Sequence, residues 1–170
     1  MKLTDLLIGD LDREAPLTKR ALDAVPDGRD DWKPHDKSMP LGRLASLVAT
    51  MPAWLSMMIE KDELDVVPAP GTPSQFGKPL TTRAERVETM AQGVAGARKA
   101  LQGTSDDHLM KPWRLKARGN VVMEAPRYVM MRDSLMHLAH HRGQLTVYLR
   151  LTDQPVPAIY GPSADDTQFA

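Results

Sequence analysis

The sequence predicts an all-α protein, a four-helix bundle with long loops between its helices. Two observations lead to this fold class. Apolar residues recur at the helical spacing of three and four positions along four separate stretches. The segments between these stretches are rich in proline and glycine, which end helices. With 170 residues the chain is long enough to bury a sizeable core, and we expect a single domain over residues 1–170.

The first two predicted helices cover residues 3–25 and 41–61. Pro16 lies inside the first helix and Pro52 inside the second. Each proline should kink or split its helix, because proline lacks the backbone donor and clashes with the preceding turn. The segment between the two helices contains three prolines and a glycine and is therefore predicted to be a loop.

The other two predicted helices cover residues 81–102 and 126–152. Thr82 and Glu85 have the spacing of a capping box at the start of the third helix. Pro126 suits the first turn of the last helix, where its missing donor costs nothing. The tail, residues 153–170, carries several prolines and is expected to be extended rather than helical.

Two connections have features of their own. Residues 113–123 alternate in polarity around a turn at Arg118-Gly119-Asn120, which is compatible with a small β-hairpin. Residues 62–80 form a connection longer than neighbouring antiparallel helices need. This connection either crosses from one end of the bundle to the other or covers a pocket as a lid.

Composition excludes several classes of function. The 22 Lys and Arg residues balance 22 Asp and Glu residues, which argues against a nucleic-acid partner, since such proteins need a basic face. There is no cysteine, hence no thiolate ligand and no cysteine nucleophile. The acidic N-terminal segment is not a signal peptide. No apolar run approaches the ~20 residues of a membrane span, so we expect a cytoplasmic protein with no membrane partner.

The most informative stretch is His137-Leu138-Ala139-His140-His141-Arg142-Gly143-Gln144-Leu145, which holds three of the five histidines. His137 and His141 are four positions apart, so on a helix they share one face and can bind one metal ion together. No glutamate follows His137, so the H-E-x-x-H pattern of helical metalloproteases is absent. The alternative is a pair of hydrogen-bonded core or interface histidines. His140 is expected to point to the side of this face.

A family resemblance adds to this pattern. The stretch HLAHHRGQLTVYLRL with the tail PVPAIYGPS resembles the last helix of the DinB/YfiT-like superfamily, and PHDKSMPLGRLASLVATMPAWL resembles its second helix and the preceding loop. The resemblance implies a four-helix bundle, typically dimeric. In many members three histidines bind a divalent metal, often nickel or zinc, two from the last helix and one from the second. Relatives include thiol-cofactor-dependent S-transferases and a mycothiol-dependent maleylpyruvate isomerase.

Carried over to this chain, the resemblance implies that His137 and His141 are the last-helix metal ligands. The third ligand position falls at Leu47, which cannot bind a metal. Three alternatives follow. A substitute such as His35 or water completes the site, or the metal is lost and the pocket binds a small organic molecule, or the domain is a structural remnant. The predicted pocket residues are Leu47, Met51, Ser134, Gln144 and Tyr148.

The residues and the resemblance are compatible with two functions. The first is a divalent-metal-dependent transferase that uses nickel or zinc and acts with a low-molecular-weight thiol. The second is a non-catalytic helical domain, without metal, that binds a small-molecule ligand or forms a dimer around a degenerate metal site. The resemblance implies a homodimer in either case.

Overall fold

The computed structural model describes residues 2–67 and 79–168 of the chain. Within these residues the helices and strands follow in the order α1 (Leu3–Asp23), α2 (Leu41–Thr50), α3 (Ala53–Glu60), β1 (Glu63–Asp65), α4 (Arg83–Gln102), α5 (Asp106–Met110), β2 (Pro112–Ala117), β3 (Asn120–Pro126) and α6 (Arg127–Leu151). The predicted all-α class with a small β-hairpin is confirmed. None of the described helices has the length and apolar character needed to cross a membrane.

The bundle consists of α1, the α2–α3 pair, α4 and α6. Helix α1 packs on α4 and α6, and both α2 and α3 pack on the same two helices. The core divides into two apolar clusters along the bundle. One joins α2 to the second half of α6, and its buried residues include Leu41, Leu44, Val48, Leu138, Leu145 and Leu149. The other joins α3, α5 and the sheet to the first half of α6, and its buried residues include Leu55, Leu109, Trp113, Met131 and Leu135.

Pro52 divides the predicted second helix into α2 and α3. The backbone stays in the helical region at both Met51 and Pro52. However, the backbone N–H groups of Trp54 and Leu55 donate to the carbonyl oxygens three residues back, those of Met51 and Pro52. A tightened turn of this kind is common where a helix ends or restarts. The predicted interruption at Pro52 is therefore present, and it sets the start of α3 at Ala53.

Pro16 has a smaller effect than expected, because α1 continues through it as one helix from Leu3 to Asp23. The flanking residues Leu11 and Leu17 are both buried against the bundle. Burial of apolar side chains on either side offsets a penalty of about 3 kcal/mol for an interior proline. Tertiary packing thus keeps a helix that local propensity would split.

The hairpin is formed by β2 and β3, which pair antiparallel with a bulge between Leu115 and Lys116. Its turn has positive φ at Arg118 (54°) and Gly119 (78°), the combination that suits a tight two-residue hairpin. The sequence did not predict β1, which pairs parallel with β2. The Asp65 carboxylate at the end of β1 accepts the backbone N–H of Gly119 at 2.6 Å, and such bonds lower the pKa of Asp65.

The long connection after α3 is described only at its two ends. Its first part contains β1, and its last residues, Pro79 to Thr82, lead into α4. The choice between a crossing connection and a lid concerns mainly residues 68–78, which lie outside the described residues. At the start of α4, the Thr82 hydroxyl accepts the N–H of Glu85, and the Glu85 side chain accepts the N–H of Thr82. The predicted capping box is confirmed.

Buried arginines connect the loops to the bundle. The guanidinium of Arg127 donates to the carbonyl oxygens of Met58 and Pro112, each at 3.0 Å, and pairs with Asp62. These contacts fasten the end of α3 and the start of β2 to the first turn of α6. A charge this deeply buried is tolerated because several partners replace its water.

Gly42 offers a test of the packing around α2. A Cβ at Gly42 would lie 2.7 Å from the Cβ of Asp30, whose carboxylate pairs with the buried Arg86. Gly42→Ala is expected to lower the free energy of unfolding by about 1–3 kcal/mol, because overpacking forces the ion pair to shift. Gly9→Ala is the matched control, since a Cβ there meets nothing within 4 Å.

The control should instead stabilise the protein by roughly 0.5–1 kcal/mol, because alanine replaces glycine inside a helix. Urea denaturation of both variants measures the two free energies. A Gly42→Ala variant as stable as the wild-type protein would contradict the packing described around Asp30.

Candidate functional site

The last helix presents three imidazoles close to one another. The ring centroids of His137 and His141 are 4.4 Å apart, and those of His140 and His141 are 5.1 Å apart. The third pair, His137 and His140, is separated by 6.5 Å. The indole of Trp54 on α3 lies 6.1 Å from the His137 ring. The predicted pair thus shares one face of α6, and Trp54 and His140 adjoin it.

His141 is the most buried of the three histidines, and its side chain is hydrogen-bonded. It is buried, and its Nδ1 lies 2.7 Å from Oε1 of Gln144, one turn further along α6. Because an amide oxygen only accepts, Nδ1 carries the proton and donates it to this bond. The lone pair is then left on Nε2. Imidazoles that bind metals or act as bases are commonly oriented by such a bond to the other ring nitrogen.

His137 is more exposed, and its pKa lies below its ordinary value. Partial burial is the main cause, because it disfavours the charged imidazolium. The nearby His141 and His140 act in the same direction, since each would carry a like charge. His137 is therefore mainly neutral near pH 7, the form that can accept a proton or bind a cation.

The other predicted pocket residues occupy different surroundings. Met51 is almost fully buried in the apolar core, and Ser134 is buried with an Oγ that has no partner within the described residues. Tyr148 donates its hydroxyl to the carbonyl of Met39 at 3.0 Å and stacks edge-on against Trp32. Leu47 is half-buried and lines a cavity beside α2. Their role in binding a ligand remains a prediction.

His35, the proposed substitute ligand, lies in the loop before α2. It is exposed, and its Nδ1 accepts the backbone N–H of Lys37 at 3.1 Å. This bond stabilises the local turn. No group of three or more His, Asp or Glu side chains suited to holding a metal ion occurs within residues 2–67 and 79–168. The three-histidine centre that the resemblance implies therefore does not fit the described donors.

A cavity of about 690 Å³ lies beside α2 and the start of α3. Its apolar wall includes Met39, Pro40, Leu47, Trp54, Pro79 and Leu80, and its polar wall includes Asp30, Asp31, Arg43, Ser46, Thr50 and Thr81. Trp54 belongs both to this wall and to the surroundings of His137. Leu47 and Trp54 are seven positions apart, which is two turns of a helix. This spacing could have indicated from the sequence that both residues lie on one face.

The fold and the H-x-x-x-H pair define a class, the helical-bundle proteins that carry paired histidines on their last helix. The sequence matches the profile of the DinB family over residues 4–168, so the chain belongs to the DinB family. It is also similar to the uncharacterized protein YrdA of Bacillus subtilis strain 168, with 31% identity over 84 residues. That alignment covers 47% of this chain and 50% of YrdA, so it spans only half the length of its relative.

Solved structures agree with the family assignment at the level of the fold. A DinB-like protein from Bacillus cereus ATCC 10987 superposes with a TM-score of 0.69 at 21% identity, covering 91% of this chain and 95% of that protein. The DinB-like protein YjoA of Bacillus subtilis superposes with a TM-score of 0.64 at 14% identity, covering 87% and 92%. Both are similar in backbone along nearly their whole length.

The lowered pKa of His137 predicts a pH dependence of stability. In the unfolded chain this imidazole takes up its proton at a higher pH than in the folded protein. The free energy of unfolding should therefore fall as pH decreases from the ordinary histidine range, about 6.5, to the lowered pKa. NMR titration in the presence of a chelator measures the pKa of His137, and urea denaturation measures the stability.

Two variants separate the causes of this shift. His141→Ala should raise the pKa of His137, because one like charge is removed. His137→Gln should flatten the stability profile over the same pH range. A wild-type pKa at or above the ordinary histidine value would contradict the described surroundings of His137.

Proposed function

We propose that this DinB-family protein binds a small organic molecule in the cavity beside α2 and α3. We also propose that the metal centre implied by the resemblance is degenerate, because its second-helix ligand is missing. The observation that carries this proposal is the pairing of a large cavity with an incomplete donor set. Leu47 lines the cavity, and it stands where the resemblance places the second-helix ligand. An apolar side chain there favours organic contacts and disfavours a bare cation.

The size and lining of the cavity support a small-molecule ligand. Its volume of about 690 Å³ is within the usual range of ligand pockets. Such pockets combine an apolar wall with a few oriented polar groups. Here Leu47 and Trp54 supply apolar and aromatic surface, while Thr50 supplies a hydroxyl whose proton is donated to the carbonyl of Ser46.

The hydrogen bonds already made by the cavity wall limit the chemical groups that a ligand can present to it. Ser46 donates to the carbonyl of Gly42 at 2.7 Å and accepts the N–H of Leu80 at 2.9 Å, so its hydroxyl is already engaged. The Thr50 oxygen keeps its lone pairs and can accept a bond. Asp31 and Arg43 are exposed and form no ion pair within the part of the chain that the structure describes. We infer a largely apolar ligand with a donor group at one end.

A ligand screen tests this function. Saturation-transfer NMR with a library of small aromatic and aliphatic molecules that carry a hydroxyl or amine should identify compounds that bind the wild-type protein. Leu47→Phe extends a larger side chain into the cavity and should weaken those compounds at least about tenfold, because the added volume competes with them. Leu6→Phe, at an exposed position on α1, is the matched control.

Two results of the ligand screen would contradict the proposal. Compounds that bind Leu47→Phe and the wild-type protein equally would place the binding surface elsewhere. A library without any binder would contradict the proposal as a whole.

A second candidate is a divalent-metal-dependent transferase that acts with a low-molecular-weight thiol. The bond between His141 and Gln144 favours it, because it orients Nε2 as metal-binding histidines are oriented. This activity requires a third donor beside His137 and His141, and the described residues form no such three-ligand group. The homodimer and the cytoplasmic location remain predictions that rest on the resemblance and the composition.

Restoring the missing donor separates the two candidates. Purified without added metal, the wild-type protein should carry nickel and zinc only at background levels, whereas Leu47→His should carry about one ion per chain, because three imidazoles complete a site. Elemental analysis of both proteins measures the metal content. One ion per wild-type chain would contradict a degenerate centre and favour the transferase.

A further inference from the structure

Two residues of opposite charge line the cavity of about 690 Å³, namely Asp31 and Arg43. Both are exposed, and neither forms an ion pair with any residue that the structure describes. We propose that the cavity binds an apolar α-amino acid, whose ammonium group pairs with Asp31 and whose carboxylate pairs with Arg43. This assignment rests on the proposed function, since it names a ligand class for the same cavity.

The third charged residue of the described wall, Asp30, is already neutralised. Its carboxylate pairs with the guanidinium of Arg86, which is fully buried. A buried guanidinium needs its partner, because removing one member of such a pair leaves an uncompensated charge. Asp30 is therefore not available to a ligand, and Asp31 and Arg43 are left as the charges that a bound molecule meets.

The charges of Asp31 and Arg43 cancel, which favours a ligand that carries both signs. A cation attracted by Asp31 is repelled by Arg43, and an anion attracted by Arg43 is repelled by Asp31. A molecule with an ammonium and a carboxylate group gains from both residues. An α-amino acid holds these two groups on one carbon, so its apolar side chain remains free to enter the cavity.

The position of Arg43 is unfavourable in the absence of an anion. Arg43 lies in the first turn of α2, and that turn contains no acidic residue. The partial positive charge of a helix N-terminus disfavours a cation there. A ligand carboxylate would offset this cost, and arginine binds carboxylates with two parallel hydrogen bonds. Departures from a local electrostatic rule are expected where a residue serves function.

The remainder of the wall suits an apolar side chain. Leu47 and Trp54 are half-buried and supply aliphatic and aromatic surface, against which an aromatic ring of the ligand can stack. The hydroxyl proton of Thr81 is donated to Glu85 at 3.2 Å, and that of Ser46 to the carbonyl of Gly42 at 2.7 Å. Because these donors are engaged, an amino acid with an apolar side chain is favoured over one with a polar side chain.

Three related probes test the role of the two charges. L-Phenylalanine carries both an ammonium and a carboxylate group, phenethylamine keeps only the ammonium group, and hydrocinnamate keeps only the carboxylate. NMR titration of the isotopically labelled protein at neutral pH and low salt measures the Kd of each probe. Phenylalanine should bind about three- to fivefold more tightly than either singly charged probe, the gain expected from a pair of exposed charges. Added salt should reduce this preference.

Variants assign each charge of the ligand to its residue. Arg43→Gln should weaken phenylalanine about threefold without weakening phenethylamine, because only the carboxylate loses its partner. Asp31→Asn should weaken phenylalanine similarly without weakening hydrocinnamate. Arg13→Gln is the matched control, since it removes an exposed arginine of α1 outside the cavity and should leave all three affinities unchanged. All three variants change exposed residues, so each should unfold at the wild-type temperature.

Three results would overturn the assignment and leave the cavity as a binding site. The first is equal affinity of the wild-type protein for all three probes, and the second is equal weakening of phenylalanine by Arg13→Gln and Arg43→Gln. The third is the absence of phenylalanine binding while other compounds bind in a manner sensitive to Leu47→Phe. Failure of the proposed function is distinct, because then no compound of any charge would respond to Leu47→Phe.

Discussion

The salt bridge between Arg142 and Glu14 fixes how α6 is rotated within the bundle. Arg142 is fully buried, pairs with Glu14 at 2.6 Å, and donates to the hydroxyls of Thr18 at 3.0 Å and Tyr160 at 2.6 Å. An unpaired guanidinium at this depth would cost several kcal/mol, about 3–5 by analogy with broken buried pairs. Arg142 must therefore face α1. Its neighbour His141 is then turned by about 100° around the helix axis, away from α1.

This rotation places the histidine side chains of α6 beside α3. The predicted helix from 41 to 61 is interrupted at Pro52, and α3 restarts so that Trp54 faces both the His137 ring and the cavity. The indole thereby separates two different surfaces. One is the apolar wall that includes Leu47, and the other is a cluster of imidazoles. One bundle fold can use these surfaces for different chemistry, because function depends on the site and not on the fold.

Local patterns predicted the four long helical segments, the capping box at Thr82 and the hairpin turn at Arg118, because each depends on residues close together in the chain. The short helix α5 (Asp106–Met110) was not predicted. The strand Glu63–Asp65 was missed, since it is stabilised by pairing with β2, about fifty positions away. The buried Arg127 was missed for the same reason, because its carbonyl partners come from α3 and β2. A charged residue inside an amphipathic pattern is ordinarily placed on the surface.

The sequence by itself determined that His137 and His141 share one face of a helix, because the α-helical repeat places positions i and i+4 together whatever surrounds them. Only the tertiary structure decided what meets that face. The packing of α3 placed Trp54 against His137, and no third donor from another helix joins the pair within the described residues. The approach of one helix to another depends on side-chain packing between segments distant in sequence, which local periodicity does not specify.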